Sequence, residues 1–295
     1  MATVSQGSTK ERFRFISQFG SDLGVRYLCN WLNVSPAGFY RWRNRPESNR
    51  VKEDKSLSAK VQCIFDASRG VYGSPRIHAA LKRQGVNVGR KRVERLMRER
   101  GITARVAKVY RRNKLPYKFY TKMGNLRINE PKPNKINQQW VGDLTYINVN
   151  HKWHYLAVVM DLYSRRILGW NVSRYKNAPL TLSVINKAIA HRQYEPGLIF
   201  HTDRGSEYGA YLIQDELKHL NIRSSMNRPE SITDNAHMES FFHSLKSEYI
   251  HGMKFTTIEE LRAAAKSYID DFYNPCRLHS GLGYCSPIEY EGLAA

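Results

Sequence analysis

Residues 140–149 read Trp140-Val141-Gly142-Asp143-Leu144-Thr145-Tyr146-Ile147-Asn148-Val149, an apolar, β-branched and aromatic run interrupted by one acid. Such a composition predicts a strand. Two more follow, Trp153 to Leu162 and Arg166 to Val172, with turns at residues 148–152 and at Tyr163-Ser164-Arg165. Three consecutive strands joined by tight turns predict an antiparallel meander. The chain then alternates: a helix from about Pro179 to His191, a short strand Leu198 to His201, a helix from about Ala210 to Leu220, and a strand Ile222 to Ser225. Helices from Asn235 and from Thr257 close this part. Strands first, then alternating helix and strand, predict an α/β fold with a mixed five-stranded sheet and helices on its faces.

The acid in the opening run carries the first functional signal, because an aspartate inside a strand is unfavourable for propensity. Asp203 ends the short stretch His201-Thr202-Asp203-Arg204-Gly205, and Glu239 lies in Asp234-Asn235-Ala236-His237-Met238-Glu239-Ser240-Phe241-Phe242, thirty-five residues (204 to 238) further on. An acid on a strand, one at a strand end and one on a helix can converge on one point. Taken singly, Asp203 also reads as a turn aspartate, and Glu239 as a helix-surface glutamate. On that helix Asn235, Glu239, Phe242, His243 and Lys246 recur at i, i+4, i+7, i+8 and i+11, which is one helical face. A carboxylate, an amide and an ammonium there would serve metal, DNA and phosphate respectively. Among competing acids Asp161 reads as a strand end, Asp234 as a helix N-cap and Asp270-Asp271 as solvated; Glu207 is a further candidate.

Phosphodiester transfer needs an activated oxygen nucleophile, a stabilised leaving oxygen and neutralised phosphate charge. Two Mg²⁺ ions about 3.5 to 4 Å apart meet all three needs and take hard oxygen ligands, few in number because Mg²⁺ keeps several waters. Asp143 bridging both ions, with Asp203 and Glu239 each completing one, is the simplest assignment.

The chain is 295 residues long with a formal net charge of +21. At about 150 residues per domain, more than one domain is expected. Residues 1–138 hold 31 basic and 9 acidic side chains, against 16 and 17 in residues 139–295, so the whole excess lies in the first half. A polyanionic partner is the natural complement, and nucleic acid the natural polyanion. The organisation read from the sequence is a helix-turn-helix-like segment at 1–50, a second basic module of that kind at 51–104, a basic linker at 105–137 and a catalytic core with a helical tail at 138–295.

In the first segment residues 24–44 predict two short helices, with Ser35 as N-cap and Pro36 at the first helical position. Leu28, Leu32 and Val34 would face Phe39 and Trp42, leaving Arg41 and Arg43 outside. In the second, a helix at 76–84, a turn at 85–89 and a helix at 90–100 ending before Gly101 repeat the pattern. Val93, Leu96 and Met97 make the apolar stripe there, and Arg90, Lys91, Arg95 and Arg98 stand clear of it to meet a groove or a phosphate backbone. The linker carries Lys108, Arg111, Arg112, Lys114, Lys118 and Lys122, with aromatics Tyr110, Tyr117, Phe119 and Tyr120 that anchor it or stack on bases.

Cys29, Cys63, Cys276 and Cys285 form no CxxC pair, so neither a zinc site nor a disulfide framework is indicated. No run of about 18 apolar residues and no secretory N-terminus is present. A soluble, cytoplasmic protein is expected.

The motifs together resemble those of a known family. Phe39-Tyr40-Arg41-Trp42, Tyr72-Gly73-Ser74-Pro75-Arg76-Ile77, Trp140 to Tyr146, Asp161 to Trp170, His201 to Tyr208, Asp234 to Phe242, and the C-terminal set Tyr273-Asn274, Arg277, His279, Gly281 to Tyr284, Ser286 and Pro287 are similar to those of transposases of the third bacterial insertion-sequence family, the downstream-frame product. More broadly they resemble the retroviral-type integrase core. The resemblance implies a ribonuclease-H-like core with helices on both faces of the sheet, catalytic and metal-binding carboxylates at Asp143, Asp203 and Glu239, and a DNA-contacting Lys246. It also implies Mg²⁺, with Mn²⁺ as a substitute, cleavage and strand transfer at terminal inverted repeats, and homo-oligomers on DNA. An upstream-frame DNA-binding partner or fusion and association with the nucleoid follow from it too. One departure lies between Met226 and Asp234, where the family has a Gly-containing loop with a Tyr just before the Asp-Asn pair and this chain reads Asn227-Arg228-Pro229-Glu230-Ser231-Ile232-Thr233. A stiffer loop is expected. Two alternatives remain open at this stage: a catalytically weakened derivative acting as a DNA-binding regulator, and a structure-selective nuclease on the same fold.

Overall fold

The computed structural model describes residues 7–105, 123–229 and 232–294. The basic and aromatic linker residues named above, from Lys108 to Lys122, lie outside them. The chain divides into two compact units, Met1–Lys60 and Val61–Ala295.

In the first unit, α1 (Thr9–Leu23) starts at a Ser8–Glu11 capping box, a signal present in the sequence as Ser-x-x-Glu but absent from the reading above. It is followed by α2 (Val25–Trp31) and α3 (Pro36–Arg43). Ser35 caps α3 by accepting from the Gly38 amide, with Pro36 in the first turn. Phe13, Ile16, Leu28, Cys29, Leu32 and Phe39 form the core, flanked by Val34 and Trp42, so the expected packing across the turn holds. Arg41 and Arg43 are exposed.

Helix α4 (Asn49–Ala67) leads to α5 (Ser74–Arg83) and α6 (Arg90–Glu99). Ile77 and Leu81 of α5, with Val93, Leu96 and Met97 of α6, are buried. Arg90, Lys91 and Arg98 are exposed and Arg95 is half-buried. Two of the four are not unpaired cations: Arg90 bonds Glu94 at 3.0 Å and Arg95 bonds Glu99 at 2.8 Å, each one helical turn on.

The sheet has five strands: β1 (Gln139–Val149), β2 (Lys152–Asp161), β3 (Ile167–Ser173), β4 (Ile199–Thr202) and β5 (Arg223–Met226). Their order is β3-β2-β1-β4-β5, antiparallel across β1–β2 and β2–β3 and parallel across β1–β4 and β4–β5. The meander and the mixed sheet are as expected from the turns and the alternation. Helices α7 (Ala178–Ala190), α8 (Ser206–Gly209) and α9 (Tyr211–His219) supply the main core with Trp140, Ala157, Phe200 and Met226.

Two glycines permit this packing. A Cβ on Gly142 would stand 2.6 Å from the Phe200 ring, and one on Gly169 would stand 2.3 Å from the Val184 carbonyl of α7. Only glycine lets β1 accept Phe200 and lets α7 lie so close to β3.

Helix α10 (Ala236–Leu245) runs into a π turn, Lys246–Ile250, and α11 (Ile258–Tyr268) into another, Ile269–Tyr273, before α12 (Pro287–Ala294). The tail is bonded to α5 and the residues before it. Tyr72 Oη donates to the Cys276 carbonyl at 3.0 Å and accepts from the Leu278 amide at 2.8 Å, while Arg76 Nε donates to the Leu278 carbonyl at 2.9 Å. Among the described residues no helix is long and apolar enough to cross a membrane.

Candidate active site

Strand β1 pairs with β4 in parallel only as far as Gly142 opposite Thr202. Asp143 follows on β1 and Asp203 is the residue after β4 ends, so the register brings both acids to the same end of the β1–β4 pairing. Asp143 is 4% exposed and accepts a bond from the Leu144 amide at 2.8 Å. Asp203 is half-buried and accepts from the Gly205 amide at 3.0 Å. Behind them Tyr208 is fully enclosed; burial, then the charges of Asp143, Asp203 and Glu207, push its hydroxyl well above the usual phenol range.

Helix α10 is fixed to this point by its N-cap residue. Asn235 is buried and its Nδ2 donates to the Gly142 carbonyl at 3.2 Å. Expected at the DNA, this amide instead joins α10 to β1 next to Asp143. Asp234, expected as the N-cap, sits in the preceding 3₁₀ turn (Ile232–Asn235), where its carboxylate accepts from Asn125 Nδ2 at 2.9 Å and from the Arg228 amide at 2.9 Å, and pairs with Arg228 Nη2 at 3.0 Å. It ties the two sides of the altered loop together; residues 230 and 231 lie outside the described structure. Glu239 follows Asn235 by one helical turn and is half-buried. Lys246 opens the π turn and its Nζ lies 4.8 Å from the centre of the Tyr146 ring. The proposed single face is therefore uneven: Asn235 and Phe242 are buried, His243 is exposed, and the α period ends before Lys246.

Glu207, the competing acid, is buried and pairs with Lys176 at 3.2 Å. Burial raises its carboxyl, opposed by Lys176 and reinforced by Asp203. Lys176 had no signal in the sequence, since the pair joins residues thirty-one apart. His201, beneath Asp203 on β4, sits between Ser225 Oγ at 2.8 Å and Asn227 Oδ1 at 2.7 Å. Burial, then Arg127, lowers it to about 4, so it is neutral and structural at pH 7. Asp161 is also structural: wholly buried, it accepts from the Asn137 and Tyr163 amides at 2.7 and 2.8 Å. Asp270 and Asp271 are exposed, as expected.

Could these groups hold Mg²⁺? Among the described residues no three His, Cys, Asp or Glu side chains stand close enough to enclose a metal ion. Asp143 and Asp203 lie at the same end of the β1–β4 pairing, and Glu239 does not close a three-carboxylate cage with them. The donor chemistry nonetheless fits. The acids offer hard oxygens, Mg²⁺ completes its shell with water, and Asn235 Oδ1 is a buried oxygen without a hydrogen-bond donor, beside the strand that carries Asp143. A water on an ion held by these acids would supply such a donor.

Three family models match the chain: an HTH-like domain over residues 52–112 and integrase core domains over residues 133–231 and 239–293. The transposase InsF for insertion sequence IS3A of Escherichia coli (strain K12) is 35% identical over 287 residues, covering 95% of this chain and 98% of that protein. The chain belongs to the IS3 family of transposases. Another relative, the transposase for insertion sequence element IS904 of Lactococcus lactis subsp. lactis (strain IL1403), is 36% identical over 84% of this chain and 97% of its own length. Similar solved structures include a simian T-cell lymphotropic virus intasome in complex with PP2A regulatory subunit B56 gamma, at 17% identity and TM-score 0.45 over 72% of this chain and 69% of that one. The catalytic core domain of BIV integrase is 21% identical with a TM-score of 0.41, covering 54% of this chain and 95% of its own. As an IS3-family transposase the protein is a polynucleotidyl transferase, and its five-stranded mixed sheet is the ribonuclease-H-like core of that class, preceded by helical, HTH-like modules.

Proposed function

We propose that this IS3-family transposase cuts donor strands at the terminal inverted repeats of its insertion sequence and joins the freed 3′-hydroxyl to another strand, with Asp143, Asp203 and Glu239 as its catalytic and metal-binding carboxylates. The observation that carries the reading is the register Gly142 opposite Thr202, which puts Asp143 and Asp203 at the same end of the β1–β4 pairing, where Asn235 fastens α10. Two Mg²⁺ ions, replaceable by Mn²⁺, would activate the attacking oxygen and neutralise charge on the phosphate and leaving oxygen. Mg²⁺ is present in a solved HTLV-2 integrase catalytic core domain. Asp143 would hold the ions from within β1 and Asp203 from the residue after β4 ends, and Glu239 would complete the set from α10. The burial of Asp143 limits bulk water there and strengthens its field on the phosphate.

The basic modules supply the DNA. We assign residues 1–50, with Arg41 and Arg43, and residues 51–104, with Arg90, Lys91, Arg95 and Arg98, to recognition of the ends. Residues 105–137 are the linker, and residues 138–295 are the core with its tail, where Lys246 carries phosphate. If about six of these cations meet phosphates, affinity falls roughly 10³-fold between about 50 and 200 mM salt. Homo-oligomers on paired ends, an upstream-frame DNA-binding partner and a cytoplasmic, nucleoid-associated location complete the proposal.

The test is purified protein with Mg²⁺ on a supercoiled plasmid carrying the element's ends and a second target DNA. Products in which element strands are covalently joined to target support the reading. Free nicked ends alone would replace it with a nuclease, and footprints without any cleavage with a regulator.

A further inference from the structure

The tip of the β1–β2 hairpin carries two aromatic rings that the core does not use. Tyr146 is 41% exposed and Trp153 48%. In the register Tyr146 faces Tyr155 and Trp153 faces Asn148, so the two rings are diagonal neighbours on one face of the sheet. They meet edge to face, with centroids 5.1 Å apart and planes at 82°. The Lys246 ammonium lies 4.8 Å from the Tyr146 centroid, a contact in which the ring quadrupole holds the cation in place.

The position of this pair relative to the acids gives it meaning. Strand β1 and helix α10 touch at Gly142–Asn235 and α10's continuation touches β1 again at Tyr146–Lys246, with Asp143 and Glu239 inside that span. Tyr146 is three residues past Asp143, about 10 Å at a strand's rise, and, at an odd offset, points to the other face of the sheet, where Lys246 meets it. Lys246 is seven past Glu239, again about 10 Å at a helix's rise. Along stacked DNA that is about three nucleotides at 3.4 Å each. The hairpin itself carries one sign of charge. No acid occurs between Asp143 and Asp161, Lys152 stands at the hairpin tip, and exposed Lys254 precedes Phe255, whose carbonyl accepts from the Asn150 amide.

We infer that Tyr146 and Trp153 form a stacking shelf for an unpaired or splayed DNA base a few nucleotides from the reacting phosphate, with Lys246 held to take the phosphate beside it. Exposed aromatic faces bordered by cations are the combination that single-stranded nucleic acid engages. The inference rests on the reading of Asp143, Asp203 and Glu239 as the reacting centre, because it is that centre which brings a strand end past the shelf.

The experiment compares binding of the full-length protein to two fluorescent oligonucleotides of equal length and charge, a twelve-nucleotide oligothymidine and its wholly abasic counterpart. Wild-type protein is expected to prefer oligothymidine by roughly tenfold or more. Trp153→Ala and Tyr146→Ala are expected to lose most of that preference with an unchanged salt slope, and Trp153→Phe to keep it. Lys246→Ala should weaken both ligands alike and lower the salt slope. Both ring positions are exposed, and thermal melts confirm that the variants are folded. The shelf is overturned if wild-type protein shows no preference, or if both alanine variants retain it. An Asp143→Asn protein that keeps the preference yet leaves cleavage unchanged refutes the catalytic reading separately.

Discussion

The Asn235 amide donates to the Gly142 carbonyl at 3.2 Å, and through this one bond the helix bearing Glu239 is registered on the strand bearing Asp143. Asn235→Ala leaves a buried carbonyl without that donor, at a cost of about 1–3 kcal/mol. Chemical denaturation should show that loss. Single-turnover cleavage should fall further than stability or DNA affinity, since the helix keeps its charge and fold but loses its register. A variant with reduced stability and unaltered cleavage rate would show that the bond is only structural.

Glu248 and Arg277 form the most deeply buried ion pair described. Arg277 Nε and Nη2 meet Glu248 Oε2 and Oε1 at 2.7 and 2.5 Å, and Tyr268 Oη donates to Oε2 at 2.8 Å. The pair joins the π turn that begins at Lys246 to the tail. Arg277→Ala leaves the buried carboxylate with only the Tyr268 hydroxyl and the more distant Arg76 guanidinium at 3.9 Å, and a loss of about 3–5 kcal/mol is expected in equilibrium unfolding. Replacing both partners with apolar residues of similar volume should restore much of it.

His279 packs edge to face on Tyr273 and meets Arg277 Nη1 at 3.4 Å through Nε2. Burial, then Arg277, Arg76 and Arg165, lowers it to about 3 from the usual 6.5. The unfolded chain therefore binds this proton first. The stability His279 contributes is complete above about pH 6.5 and is lost as pH falls towards 3. Melts across that window should show a decline that His279→Gln makes shallower; an identical pH profile for both proteins would contradict this role.

Gly169→Ala tests the helix–sheet contact. The added methyl would lie 2.3 Å from the Val184 carbonyl and 3.1 Å from the Ala188 amide. Because these are backbone atoms, α7 must move, and a loss of about 1–3 kcal/mol is expected from overpacking. Differential scanning calorimetry measures it.

The strands and their turns were legible in the sequence because each is local: alternation and turn residues mark β1 to β3, and an acid inside an apolar strand sets Asp143 apart. Proline and serine marked α3 in the same way. The pairings were not legible. Arg90–Glu94 and Arg95–Glu99 were within reach of an i, i+4 reading, which would have tempered the basic face of α6. Asn235–Gly142, Lys176–Glu207 and Glu248–Arg277 join residues brought together only by the fold, so no spacing announces them. The π turn at Lys246 changes the helical period without a composition signal, which is why a face drawn at 100° per residue runs true at Asn235 and Glu239 and drifts by Lys246.

We assign strand cleavage to Asp143, Asp203 and Glu239. The most direct test is single-turnover cleavage of an end-labelled duplex carrying the element's terminal repeat, with Mg²⁺, by wild-type protein and by Asp143→Asn, Asp203→Asn and Glu239→Gln, DNA affinity being measured in parallel. Each variant is expected to bind the duplex within a few-fold of wild type and to cleave it at least roughly 10³-fold more slowly, the scale lost when one group that acts as part of a catalytic unit is removed. Variants that bind and cleave like wild type would contradict the assignment.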